Sequence, residues 1–444
     1  MINSKFYNLF YWLFLIVFFL FNCFLKTDIS YFSIKAFNFH EYGDLSMSSV
    51  RLFYEANKAV ENSGSIYFFK PIFNTINPAL FMLVAQIFIY LKIEVFFLQI
   101  LSTLFYLFGI FIYFKWVKIF FNSEKIAKLA TILLVISPNI IFFSGQIAEN
   151  YFNFFFVNLA IFSILLYKKN NNINYIITLF FSLLFIYFNY WWFSISITIL
   201  SVLLLSNKSS NKIIYSIIIF FFLFHLFWFF YLFYSFTGDD SISYLIPILK
   251  NRIINVDQTQ FNFFYIIKNI IIYPVYVDHR IRTMNGIGLL EIFILFLYLR
   301  LYKFKKEYKY LFFILASLSW YIFFPKHTLI HRFSGIYSFF IIIPIFSYYV
   351  ISVYHSNFKY KNFFCFLFLS ICILINLKKI SYYYENILSA HSEFKKIIID
   401  KCATKDLELL KIEDLQEDFV GNDKYQISNL QILNKKINCN LYKD

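Results

Sequence analysis

Residues 123–167 read SEKIAKLATILLVISPNIIFFSGQIAENYFNFFFVNLAIFSILLY, and their pattern decides what kind of molecule this is. Lys125 and Lys128 head a long apolar run. The polar turn from Ser144 to Asn150 interrupts it. A second apolar run follows and ends at Lys168 and Lys169. The two runs predict helices over about 126–143 and 150–167, close to the ~20 residues that the hydrocarbon core of a bilayer demands. Lysines at both flanks put those flanks on the cytoplasmic side, which leaves the SGQIAEN turn outside.

The rest of the chain extends the pattern. Of its 444 residues, 60% are hydrophobic, 24% aromatic and only 15% charged. Mean hydropathy is +0.64, and a soluble domain has no means of covering so much apolar surface. The net charge of +15 is weak support for nucleic-acid binding, because cytoplasmic loops of membrane proteins collect lysines. The first apolar run, Phe6 to Leu25, has only Lys5 before it and no small-residue cleavage site after it. It reads as a retained helix.

Lysine clusters at 115–128, 168–169, 208–212, 300–309 and 359–361 give one consistent threading when all are placed inside. The N-terminus is cytoplasmic and the first helix runs outward. The piece from Pro78 to Lys92 lies in the outer interface or re-enters. Later helices are expected near 95–116, 126–143, 150–167, 173–190, 191–206, 213–235, 286–302, 310–324, 335–354 and 362–378. The expectation is an all-α polytopic membrane protein of about eleven spans. Residues 1–378 form the membrane domain, with a first outer loop over about 26–92. Residues 379–444 form a small extracytoplasmic domain.

The outer segments hold the residues with chemistry. In the first loop, Arg51, Glu55, Lys58 and Asn62 recur at helical spacing, with Phe53, Ala56 and Val60 on another face. Such a helix lies flat on the membrane surface. Asp44 stands just before it. The second outer turn carries Glu149, and the last, PKHTLIHRFS at 325–334, carries Lys326, His331 and Arg332. There is no P-loop, no GxGxxG and no HExxH. His327 and His331 are four apart, but Thr328 stands where a zinc protease has glutamate and Pro325 favours a loop, so a polar cavity wall is the better reading. Cys23, Cys365 and Cys372 fall in spans and read as packing thiols. Cys402 and Cys439 fall in the outer tail, where either a disulfide or two separate thiols is open.

The order Gly43-Asp44, Tyr54, Ala59, Gly64, Tyr67, Lys70-Pro71, Asn77-Pro78 resembles the first outer loop of GT-C glycosyltransferases. The nearest branch is the protein mannosyltransferase and lipid A aminoarabinose transferase group. Residues 123–167 are similar to that group's next outer turn, where an acidic residue, here Glu149, opens the following helix. PKHTLIHRFSGIYSFFIIIPIF at 325–346 resembles its late segment of basic residue, Arg, aromatic and apolar helix. The matches span residues 1 to about 355. The gap from Asp44 to Gly64 is longer than the group often shows, which makes Glu41 a rival for the aspartate role.

The resemblance implies an integral membrane glycosyltransferase of a bacterial inner membrane. It would move a sugar from a polyprenyl-phosphate donor to a lipid, glycan or protein acceptor at the outer face. The residue types suit that chemistry. A carboxylate within hydrogen-bond reach deprotonates the acceptor, a role for Asp44, with Glu41 as the alternative. Lys70, Lys326, His331 and Arg332 hold the departing phosphate. Glu149 polarises the acceptor or joins Asp44 around a divalent cation. A glycan polymerase of the O-antigen type and a lipid or solute transporter are the alternative readings. A transporter should show charges within its spans and helices broken in paired halves.

Overall fold

The computed structural model describes residues 4–25, 95–137, 140, 150–186, 334–367, 369–374 and 376–378, isolated positions at 87, 91, 216, 219, 220, 223 and 381, and two strands at 409–410 and 437–438. Apart from the strands and the short turns between helices, these residues are helical. The helices are α1 (Ser4–Leu25), α2 (Val95–Phe121), α3 (Glu124–Val135), α4 (Asn150–Asn170), α5 (Ile173–Ile186), α6 (Ser334–His355) and α7 (Lys361–Lys378). The segments Thr103–Phe121 of α2 and Lys361–Lys378 are long and apolar enough to cross a membrane. The helices expected near 191–206, 286–302 and 310–324 lie outside the described residues, and of the one expected near 213–235 only positions 216, 219, 220 and 223 are described, all helical.

The short turns follow from local chemistry. Asn122 adopts φ 48° and Asn171 φ 54°, the left-handed conformation that asparagine tolerates at helix ends. The Asn171 N–H donates to the Tyr167 carbonyl at 2.8 Å, closing α4. Each of these residues is followed at once by a helix cap. The Ser123 hydroxyl accepts from the Ile126 N–H at 3.4 Å and opens α3. The Asn172 side-chain oxygen accepts from the Asn174 N–H at 2.9 Å and opens α5. Between α6 and α7, the Phe358 N–H donates to the Ser356 hydroxyl at 3.3 Å, and Lys361 Nζ donates to the Ser356 carbonyl at 2.9 Å.

Two expected boundaries need correction. α2 runs to Phe121, past the expected stop at 116, because Lys115 and Lys118 are exposed residues on the helix itself. Lys118 lies in the last turn, where a cation complements the dipole. α3 stops at Val135, where 126–143 was expected to be one continuous helix. The residue before a proline is pushed out of the helical region, and Pro138 stands three residues on. At 12 residues α3 is about 18 Å long.

The core is built on α2 and α4. The Tyr106 ring stacks on Phe154 at 5.1 Å, and Trp116 further along α2 reaches Asn158 further along α4, so the two helices run parallel. Gly109 makes the close approach possible. A Cβ there would meet the Phe154 ring at 2.6 Å. From Tyr106 to Phe121 and from Phe154 to Asn170 the helices run nearly equal lengths, about 23 Å, so both end at one level. α3 packs on α2, and α6 packs on α3. Phe121 stacks on Tyr348 at 5.3 Å. The buried stretch of α6 around Ile343–Val350 precedes the exposed Tyr354 and His355, so α6 leaves the core at that same end. α1 lies antiparallel to α2, with Trp12 edge-on to Phe114 at 5.0 Å.

Hydroxyls in this apolar interior bond back along their own helices. Thr131 donates to Ala127, Ser163 to Leu159, Ser182 to Thr178 and Ser347 to Ile343, all through backbone carbonyls. This satisfies them without a partner helix. In the tail, the expected all-α architecture acquires a small antiparallel pair, Leu409–Leu410 with Ile437–Asn438, registered Leu409 to Asn438.

Candidate functional site

The packing sorts the described helix ends onto two faces. One face carries the start of α1, the α2–α3 turn, the α4–α5 turn and the α6–α7 turn, with Lys115, Lys118, Lys125, Lys128, Lys168, Lys169, Lys359 and Lys361 around them. The other face carries the first residues of α2 and α4 and the last of α3.

Glu124 organises the lysine-bearing face. It is the only acidic residue among those described. Its carboxylate pairs with Lys118 from α2 and with Lys128 one turn along α3, the latter at 3.0 Å. The Lys118 hydrogen bond, and next the one from Lys128, hold the Glu124 carboxyl below the usual carboxylate range. Lys128 also donates to the Asn8 side-chain oxygen of α1 and sits over the Tyr11 ring at 5.6 Å. The Tyr11 hydroxyl donates to the Lys128 carbonyl at 3.1 Å. One carboxylate thus ties α2 and α3 together, and its lysine partner ties in α1. Sequence reading assigned these lysines only to topology. The signal for the clamp was present in Ser123-Glu124 at a helix start, with a lysine at i+4.

The site expected on the other face lies outside the described residues: Asp44 and Glu41, Lys70, Glu149, Lys326, His331 and Arg332. So do Cys402 and Cys439, and the Asp44–Glu149 pair expected around a divalent cation. Among the described residues no cluster of three His, Cys, Asp or Glu side chains occurs. Two of the expected residues adjoin described elements in the chain. Glu149 immediately precedes Asn150, the first residue of α4, and Arg332 precedes Ser334, the first of α6, by two. Cys365 and Cys372 are buried and neither forms a disulfide, as expected of packing residues.

No family model, no curated protein and no solved structure matches this chain. The likeness to GT-C transferases rests on the order and expected sidedness of its motifs.

Proposed function

We propose that this chain is an integral membrane glycosyltransferase that takes a sugar from a polyprenyl-phosphate donor at the extracytoplasmic face. One observation supports this reading. The lysine-bearing turns gather on one face, and α4 and α6, whose first residues follow Glu149 and Arg332 in the chain, both run toward that face. With lysines kept to the cytoplasm, Glu149 and Arg332 belong to the far side, where the Asp44 loop is also expected.

In the proposed reaction Asp44 accepts the proton of the acceptor hydroxyl. The freed oxygen attacks the anomeric carbon, and the bond from that carbon to the phosphate oxygen breaks. Polyprenyl phosphate leaves with the electron pair. Lys70 and Arg332, with Lys326 and His331 beside it, balance the growing phosphate charge. Glu149 orients the acceptor. Glu41 takes over the base role if the loop register favours it.

The buried polar side chains among the described residues, Thr, Ser and Asn, carry no charge. That favours an enzyme with chemistry at the helix ends over a transporter with charges inside its spans. Profiling of lipid-linked sugars in a deletion strain tests the proposal. Accumulation of one polyprenyl-phosphate sugar, with loss of that sugar from an envelope product, is expected. An unchanged profile contradicts it.

A further inference from the structure

We infer that the lysine-bearing face docks the phosphates of anionic glycerophospholipids. This goes beyond the transferase reading and rests only on the chain being embedded in a bilayer.

The exposure of the lysines and the apolar band beside them carry the argument. Glu124, the only described acidic residue, is already committed to Lys118 and Lys128. Lys115, Lys125, Lys169, Lys359 and Lys361 therefore meet no carboxylate among the described residues. Lys115 sits over the Phe111 ring at 5.1 Å and Lys359 over the Tyr360 ring at 5.6 Å, contacts that leave the ammonium protons free for an anion. Lys125 and Lys169 stand exposed at the first turn of α3 and the last turn of α4.

The surroundings select the kind of anion. Exposed aromatic and aliphatic side chains lie directly beneath these lysines. Phe111 is one turn below Lys115, and Phe363 and Phe366 follow Lys361 at 66% and 73% exposure. Phe358 and Tyr360 are themselves exposed in the α6–α7 turn. A row of ammonium groups above a band of exposed aromatics matches the boundary between headgroups and acyl chains. A nucleic-acid surface needs no such apolar band.

The test uses the full chain in nanodiscs of phosphatidylcholine containing a minor fraction of phosphatidylglycerol, with mass spectrometry of the lipids that stay with the protein. Phosphatidylglycerol should be enriched severalfold over its bulk share. The triple change Lys125→Gln, Lys169→Gln, Lys359→Gln should bring the retained phosphatidylglycerol down to about its bulk share without lowering the unfolding temperature. Retained lipid of bulk composition would overturn the proposal. So would displacement of phosphatidylglycerol by millimolar inorganic phosphate, which would mark a site for the free ion, or preferential capture of an RNA oligonucleotide. A chain that stays out of the nanodisc would overturn the membrane reading, and this proposal with it.

Discussion

The Trp116 indole N–H donates to the Asn158 side-chain oxygen at 2.8 Å, buried between α2 and α4. Asn158 in turn donates through its amide nitrogen to the Phe154 carbonyl at 2.7 Å. The pair locks the parallel register that Gly109 and Phe154 permit. Trp116→Phe leaves the Asn158 oxygen without that donor in an apolar core and should cost about 1–3 kcal/mol. Adding Asn158→Leu removes the orphaned group. The double variant should therefore lose less than the sum of the two single losses. Thermal unfolding in detergent measures the cycle, and losses that add within about 0.5 kcal/mol would contradict the coupling.

Gly109 has a steric role. A methyl group there meets the Phe154 ring at 2.6 Å, below any ordinary carbon contact. Gly109→Ala should destabilise by about 1–3 kcal/mol through overpacking, and a second change, Phe154→Leu, should recover part of the loss. If Gly109→Ala unfolds at the wild-type temperature, α2 and α4 are further apart than described.

Stability should depend on pH through Glu124. Its folded pKa is depressed, first by Lys118 and then by Lys128. The contribution is therefore present above the ordinary carboxylate pKa and is lost as pH falls through the lower folded value. The carboxylate is partly exposed, so solvent and salt screen it and its worth is at most about 1 kcal/mol. Glu124→Gln should flatten the acid limb of the stability curve. High salt should narrow the gap between the variant and wild type at neutral pH. An acid limb of equal slope in both proteins would remove the clamp from the account.

Sidedness is open to direct labelling. In a background without the native cysteines, single cysteines at Asn122, Asn171 and Ser356 should react with an impermeant maleimide only after the inner membrane is opened. A cysteine within residues 144–149 should react in intact spheroplasts. The reverse pattern would invert the topology and move Asp44, Glu149 and Arg332 to the cytoplasm.

Much of the described helix pattern was legible in the sequence, because apolar run length and lysine flanks are local signals. α1, α4, α6 and α7 begin within a few residues of their expected starts. The break in α3 was written in Pro138, but hydropathy alone runs straight through a proline. The pairing of α2 with α4 was not legible. The chain has 66 phenylalanines, and nothing local distinguishes Phe154, which lies on Gly109, from its neighbours. The Glu124 clamp joins residues more than a hundred positions apart through Lys128 and Asn8, a pairing that only packing decides. The candidate catalytic residues were chosen by motif order and lie in segments outside those described, so their geometry was legible from neither.

Sugar transfer from a polyprenyl-phosphate donor by purified wild-type protein, against Asp44→Asn, tests the central claim most directly. The asparagine keeps the size and hydrogen bonding of the side chain and removes its basicity. With the same expression and unfolding temperature, turnover should fall by roughly two to four orders of magnitude. Wild-type turnover in Asp44→Asn would contradict the assignment of the base, and no transfer by the wild-type chain from any polyprenyl-phosphate sugar would contradict the account as a whole.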